Sequence, residues 1–483
     1  MSRIIVGPFN RVEGDLDITL DTADGRVQAA RVNSTLYRGF EQILLGRPAL
    51  DALVYTPRIC GICSVAQSVA CAQALADALG VTATRNGELC RNLTLANESL
   101  SDLLTHFYLF FMPDFARAVY ADQSWYETVA QRFQAIRGDA IRQVLPARAE
   151  FLHLMGLLAG KWPHTLSIQP GGSTRPVQRQ ERLRLLAIIS GFRRFLERTL
   201  FGDDLERVAA LRTPAELDAW RDEKPWQHDD LRTFLHLSDT LALAQLGRAS
   251  DRFMCVGNYR LEGSSAVPSG VWTPQRGRQP LDPLQIREDV SHAWLRAQAP
   301  LHPAQGETQP VAEKADAYSW CKAPRLDGQV METGALARAL VAGDPLLTAL
   351  VLEQGGTVHT RMLARVLELA RMVPKLQQWV QQLAPDEPFC TPAPAPADGE
   401  GVGLIEAARG SLGHWVSLRN GRISRYQIIA PTTWNFSPRD QRGQPGALEQ
   451  ALEGAPVRRG EQDPVAVQHI VRSFDPCMVC TVH

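Results

Sequence analysis

Arg58-Ile59-Cys60-Gly61-Ile62-Cys63 and Asp475-Pro476-Cys477-Met478-Val479-Cys480 repeat one spacing, Cys-x-x-Cys, at opposite ends of a 483-residue chain. Two thiols three positions apart can ligate one ion, and binding deprotonates them because the thiolate is the ligand. Gly61 relieves crowding where the backbone turns, and Pro476 stiffens the second loop. On spacing alone three readings stand. The pairs form one shared metal site; or they form a four-cysteine zinc site or separate redox dithiols; or they coincide by chance. Structural zinc pairs usually close short loops, whereas these bracket over four hundred residues.

Outward from these loops the chain is ordinary in composition. Apolar residues make up 45% and charged residues 21%, enough to build a core and too balanced for a disordered or collagen-like chain. The net charge of −1 gives no global field for nucleic acid or an anionic membrane. No apolar run approaches the roughly 20 residues of a membrane span, and residues 1–14 lack the apolar core of a signal peptide. The expectation is a soluble cytoplasmic protein, although a chain exported on a signal-bearing partner would read the same. The other five cysteines, Cys71, Cys90, Cys255, Cys321 and Cys390, are scattered singly, which is no disulfide framework.

The N-terminal sixty residues read as α+β. Ile4–Val6, Leu16–Leu20 and Val27–Val32 have strand patterns, and Asp24-Gly25 is a hairpin turn. Helical periodicity then covers Cys63–Leu79, Asn86–Phe111, 146–160, 178–201, 204–222, 229–246, 333–354 and 357–383. Pro and Gly content marks loops at 262–283, 298–311 and 385–403, the last containing Thr391-Pro392-Ala393-Pro394-Ala395-Pro396. Short strands follow at Leu404–Glu406, His414–Leu418 and Ile423–Ile429, then helical segments near 446–453 and 464–473. The fold class is α+β and helix-dominated. It reads as one interlocked unit: an α+β part (1–60), a helical core (61–383), a Pro/Ala-rich loop (384–403) and a C-terminal β/α part (404–483).

Beyond the cysteine pairs the chain carries Asn10-Arg11-Val12-Glu13-Gly14, Tyr37-Arg38-Gly39-Phe40-Glu41, and Trp162-Pro163-His164 leading to Pro170-Gly171-Gly172. It also carries Ala408-Arg409-Gly410 before Gly413-His414-Trp415, and Ala430-Pro431-Thr432-Thr433-Trp434-Asn435. With these motifs in this order, the chain resembles the large subunit of nickel–iron hydrogenases over nearly its whole length. The resemblance implies that family's fold, with a long central helix bundle and small peripheral sheets. It implies nickel on Cys60, Cys63, Cys477 and Cys480, with Cys63 and Cys480 bridging to an iron that carries carbon monoxide and two cyanides. Soft thiolates suit such metals, and an open position would let hydrogen bind and split.

The same resemblance makes Glu13 the relay that takes a proton from Cys477. It places Arg409 over the metals, held by Asp102 and Asp475, with Thr432 donating to a cyanide. Glu41, the main-chain carbonyl of Ile428 and His483 would hold a magnesium or ferrous ion. Without the motifs, Glu13 reads as a surface carboxylate, Asp102 and Arg409 as an ion pair, and His483 as a fraying terminus. The implied partners are an iron–sulfur small subunit, maturation proteins and molecular hydrogen, with no nucleic acid.

Several positions depart from the common pattern. Gln67 stands where most hydrogen-oxidising members have histidine, one helical turn from Cys63, and cannot titrate near neutral pH. Ile62 and Phe110 are bulkier than the usual Val and Leu and would narrow a gas path against oxygen; otherwise they are core packing. Asp102 lacks flanking histidines, Ala408 replaces a common proline, and the sequence stops at His483 without the extension many precursors carry. Gln67, supported by the bulky Ile62 and Phe110, is similar to the hydrogen-sensing branch, which reports to a histidine kinase; the missing extension fits either a mature chain or a member made without one, as sensory members are. The alternatives are an energy-converting uptake hydrogenase, a structural zinc scaffold, and the related large subunit of respiratory proton pumps, which often lacks the cysteines. Replacing Ile62→Val together with Phe110→Leu should speed oxygen inhibition; unchanged sensitivity would return both residues to core packing.

Overall fold

A computed structural model describes residues 2–395 and 397–483, so Pro396 at the end of the Pro/Ala run and Met1 lie outside the described residues. The chain opens with strands β1 (Ser2–Val6), β2 (Leu16–Ala23) and β3 (Arg26–Ser34), an antiparallel meander turning at Asp24-Gly25. Next come α1 (Ser64–Leu79) and α2 (Arg85–Thr105), both largely buried. The pattern read as one helix to Phe111 changes type: α2 is α-helical to Thr105, and His106–Phe111 is a π-helical turn followed by a tight turn at Met112–Ala116. Aromatic bulk in His106-Phe107-Tyr108-Leu109-Phe110-Phe111 keeps the face apolar, so periodicity alone could not show the wider winding.

Other differences have local causes. The pattern at 146–160 is two helices, Asp139–Phe151 and His153–Ala159, with Pro146 exposed inside the first. The stretch 204–222 breaks into Leu205–Ala209 and Pro214–Asp222, because Thr213 caps the second helix by accepting from the Glu216 N–H. The stretch 333–354 breaks at Gly343, which takes a left-handed φ of 81°, and Asp344 caps the helix that follows. The predicted loop 262–283 is corrected: β4 (Phe253–Leu261), β5 (Ser264–Thr273) and β6 (Gly277–Gln279) form an antiparallel sheet. Pro268 misled the reading, yet it falls where β5 is paired on one side only, which a proline tolerates.

The long helix α3 (Val358–Gln382) crosses the core, and β7 (Gly399–Ala407), β8 (Gly410–Arg419) and β9 (Arg422–Ile429) form the last meander. Helices Pro431–Asn435 and Val465–Ser473 lead to a final turn, Met478–Thr481. One contiguous cluster of buried side chains runs from Val6 to Cys480. Among the described residues no single helix is long and apolar enough to cross a membrane.

One contact positions the site. Strand β7 lies directly on α1, and its Gly399, Gly401 and Gly403 face the carbonyls of Ala78, Ala74 and Ala70. Two strand residues advance about 6.8 Å and four helix residues about 6 Å, so the two rows stay in step. A Cβ on any of these glycines would collide with the helix backbone. Continued in the same sense, the register carries the end of β7 toward the start of α1, where Cys63 stands. Gly403→Ala should therefore destabilise the protein by about 1–3 kcal/mol, read as a lowered denaturation midpoint; an unchanged midpoint would show that the two backbones can part at no cost.

Candidate metal centre

Cys60 ends the turn Thr56–Ile59 in extended backbone, and Cys63 is the N-cap of α1. Cys477 precedes the turn Met478–Thr481, which contains Cys480. All four are free, buried thiols whose sulfurs lie within 4.8 Å of one another. Cys60 Sγ is 3.6 Å from Cys477 Sγ; Cys480 Sγ is 3.1 Å from both Cys63 Sγ and Cys477 Sγ.

The electrostatics of this cluster suit a cation once its thiols ionise. Hydrogen bonds from neighbouring sulfurs, Cys477 foremost, and the Arg409 charge hold the Cys60 thiol well below its ordinary range. The same neighbours, with burial, push Cys63 and Cys480 well above it. One thiolate forms readily, but four cannot coexist in a dry site unless a metal neutralises them.

Arg409 occupies the two-residue turn, Ala408-Arg409, that joins β7 to β8. Arg338 grips this turn from beneath, donating to the carbonyls of Ala407 (2.8 Å) and Ala408 (2.9 Å). The Arg409 guanidinium donates to Asp102 at 3.0 Å and pairs with Asp475 at 3.2 Å, and all three side chains are buried. Burial pushes Asp102 up to about 7 despite Arg409. Asp475 stays below the usual carboxylate range because Arg409, His106 and Arg365 outweigh its burial. Arg409 Nε and Nη1 have no acceptor in hydrogen-bond geometry, although both are near carboxylates. Buried donors left in this way fit a metal group that brings anionic ligands. The four thiols would hold that group.

The other predicted residues are also brought together. The Glu13 carbonyl accepts from Met478 N–H at 2.7 Å, which locks the Glu13 loop against the C-terminal loop. Glu13 is half-buried, and burial and nearby Cys60 raise its pKa against the pull of Arg409 and Arg38. Thr432 Oγ1 accepts from Cys477 N–H at 3.3 Å, so its own proton stays free. Gln67 is buried, with Oε1 2.8 Å from His414 Nε2. Ile62 and Phe110 are each partly buried.

Glu41 and His483 meet as predicted, with His483 Nε2 3.1 Å from Glu41 Oε1. Ile428, expected to offer its carbonyl, presents its N–H to Glu41 at 2.8 Å. The sequence reading missed Lys322, whose ammonium lies 3.2 Å from Glu41 and 3.4 Å from Glu288. Lys322, His483 and the Thr308 hydroxyl together hold Glu41 down to about 2 despite its burial.

Sequence reasoning missed several other residues that hold the loops. Arg38 donates to the carbonyls of Ile59 (2.6 Å) and Val479, clipping the two cysteine loops together. It lies in a quoted motif, but nothing in the motif assigned it this task. Arg365, on α3, donates to Asp475 (3.2 Å) and to the Phe474 carbonyl (3.2 Å). Glu98 accepts from the N–H groups of Val65 and Ala66, both at 2.9 Å, from Ser64 and from Trp162 Nε1 at 2.8 Å. It closes the N-terminus of α1 just after Cys63, and burial pushes its pKa up to about 8 against these donors. The spacing from Glu98 to Asp102, i to i+4 on α2, was the available signal.

Four buried thiols beneath a guanidinium are the donor set of a metalloenzyme chain. Comparison with known proteins agrees. The model of the nickel-dependent hydrogenase family matches residues 38–139 and 140–483. The hydrogenase-1 large chain of Escherichia coli is 30% identical across 100% of this chain and 95% of its own. The uptake hydrogenase large subunit of Rhodobacter capsulatus is 26% identical with the same coverage. The reduced Ni-Fe-Se hydrogenase from D. vulgaris Hildenborough superposes with a TM-score of 0.85 at 29% identity, covering 100% of both chains. The chain belongs to the nickel-dependent hydrogenase family, as a catalytic large subunit.

Glu98→Gln sets an amide N–H2 against donors that now meet the two carboxyl oxygens of Glu98. It should lower stability by about 1–3 kcal/mol and reduce the nickel retained during dialysis against a chelator. Unchanged stability and nickel content would remove Glu98 from the support of the Cys63 loop.

Proposed function

We propose that this chain cleaves hydrogen reversibly on a nickel held by Cys60, Cys63, Cys477 and Cys480, with Cys63 and Cys480 shared with an iron carrying one carbonyl and two cyanides. When bound, the group supplies the position at which hydrogen splits heterolytically. The observation that carries this reading is the buried set of four sulfurs under Arg409.

The chain's own groups then divide the work. Arg409 presents fixed donors above the cluster, and Asp102 and Asp475 keep it in place. Thr432 offers its free hydroxyl proton beside Cys477. Glu13, whose pKa burial and Cys60 raise above the ordinary carboxylate range, would take a proton delivered to Cys477 by hydrogen cleavage and pass it outward. A magnesium or ferrous ion at Glu41 and His483 would have to displace the Lys322 ammonium from Glu41. With four cysteines used at the centre and the other five scattered singly along the chain, electrons would leave through iron–sulfur clusters on a small subunit.

Two uses of this chemistry remain. The relatives carry the names hydrogenase-1 and uptake hydrogenase, which favours energy conversion. Hydrogen sensing, with output to a histidine kinase, is favoured by Gln67: its amide and its neutral partner His414 leave this side of the centre without a titrating group. Rapid turnover coupled to a quinone or respiratory acceptor would decide for conversion; slow turnover insensitive to oxygen would decide for sensing.

The centre itself is tested by infrared spectroscopy of the protein purified with its partner, with nickel and iron quantified. One carbonyl and two cyanide bands are expected; stoichiometric zinc without such bands would make the cysteines structural. Glu13→Gln should keep those bands and slow hydrogen–deuterium exchange by at least tenfold, the order of one acid–base relay. Exchange at the parent rate would remove Glu13 from the proton path.

A further inference from the structure

Gln67 does not stand alone. Its Oε1 lies 2.8 Å from His414 Nε2, and His414 Nδ1 lies 2.8 Å from the Tyr426 hydroxyl. All three side chains are buried. The network spans three elements, α1, β8 and β9, and joins the residue that departs from the usual histidine to the hairpin that carries Arg409.

The proton order along this chain has two solutions. Burial pushes His414 down to about 3, so its ring is neutral, with one donor and one acceptor nitrogen. In the first solution Tyr426 donates to Nδ1, Nε2–H donates to the Gln67 carbonyl oxygen, and the Gln67 amide nitrogen is the free end. In the second every bond reverses, and the carbonyl oxygen is free. The surroundings choose between them. Gln67 follows Cys63 by one helical turn, so the two residues share a face of α1 and an amide end turned away from His414 is free to serve the cysteine side. Thiolates repel a carbonyl oxygen and accept from an N–H2 group. The heavy-atom arrangement, with Oε1 against His414, is that of the first solution.

We propose that His414 is a positioning residue that turns the Gln67 carbonyl toward β8 and its N–H2 toward the thiolates of the centre. Residue 67 is thereby a permanent donor that no pH change near neutrality switches off. The inference rests on the four cysteines being metal ligands. Tyr426, the partner of Nδ1, sets the tautomer of His414, and both side chains are fully buried. Sequence pattern alone could not have paired residues 67, 414 and 426.

The test is a double-mutant cycle on the protein purified with its small subunit, reading the carbonyl and cyanide infrared bands on samples matched in nickel and iron. His414→Phe keeps a planar aromatic ring, somewhat larger than imidazole, and removes both hydrogen bonds. It should shift or split the bands in the parent background and leave them unmoved when Gln67→Leu is already present. The same shift in both backgrounds, or none in either, would overturn the proposal, because His414 would then act independently of Gln67 or not at all. If the His414 variant does not assemble, Tyr426→Phe replaces it. That variant frees the tautomer and should broaden or split the bands only where Gln67 is present; identical spectra in both backgrounds would overturn the inference. Parent protein without metal-bound carbonyl and cyanide bands would sink the nickel–iron reading itself, a failure distinct from an unmoved band.

Discussion

Four thiols from the two ends of the chain must share one dry site, and everything else follows from that closure. Charge repulsion forbids four buried thiolates without a metal, so the loops must be held together by something other than the sulfurs until a metal arrives. The structure supplies that hold in backbone and guanidinium contacts. Arg38 bonds a carbonyl from each cysteine loop, Met478 bonds the Glu13 carbonyl, and Arg365 bonds the approach to Cys477. The tail is buried to its last residue, with His483 only 6% exposed, which explains how a terminus that would otherwise fray can carry two ligands.

The second constraint is steric. Arg409 reaches the centre because β7 slides along α1 with glycine at every second position, so helix and strand backbones touch. The strand register then decides which residue occupies the turn, and a shift by one residue would put another side chain above the metals. Arg338, gripping the turn carbonyls, fixes the remaining freedom. Support for the chemistry is therefore spread over helices and strands that contribute no ligand.

Much of this was legible in order along the chain. The cysteine pairs, Glu13, Arg409, Asp102, Asp475 and Thr432 were all named from motifs, and the structure gathers them. Legibility failed where local pattern and tertiary role diverge. The stretch 262–283 is rich in glycine, proline and serine, yet it pairs as strands because β4 beside it supplies the missing hydrogen-bond partners. Asn86–Phe111 has one apolar face but two windings. Lys322 lies in none of the quoted motifs, and only folding brings its ammonium to Glu41.

By itself the sequence determined the donor set: which thiols exist, their spacing, and the acids and arginine able to serve them. Ligand chemistry depends on residue type and short spacing, both of which are local. The tertiary structure alone decided which groups touch and which way they face. The Arg38 clip, the Glu98 cap on α1, the Lys322 ion pair and the His414–Gln67 bond each join residues far apart in sequence. Such contacts leave no periodic signal, because their partners are chosen by packing and by the need to satisfy every buried polar group.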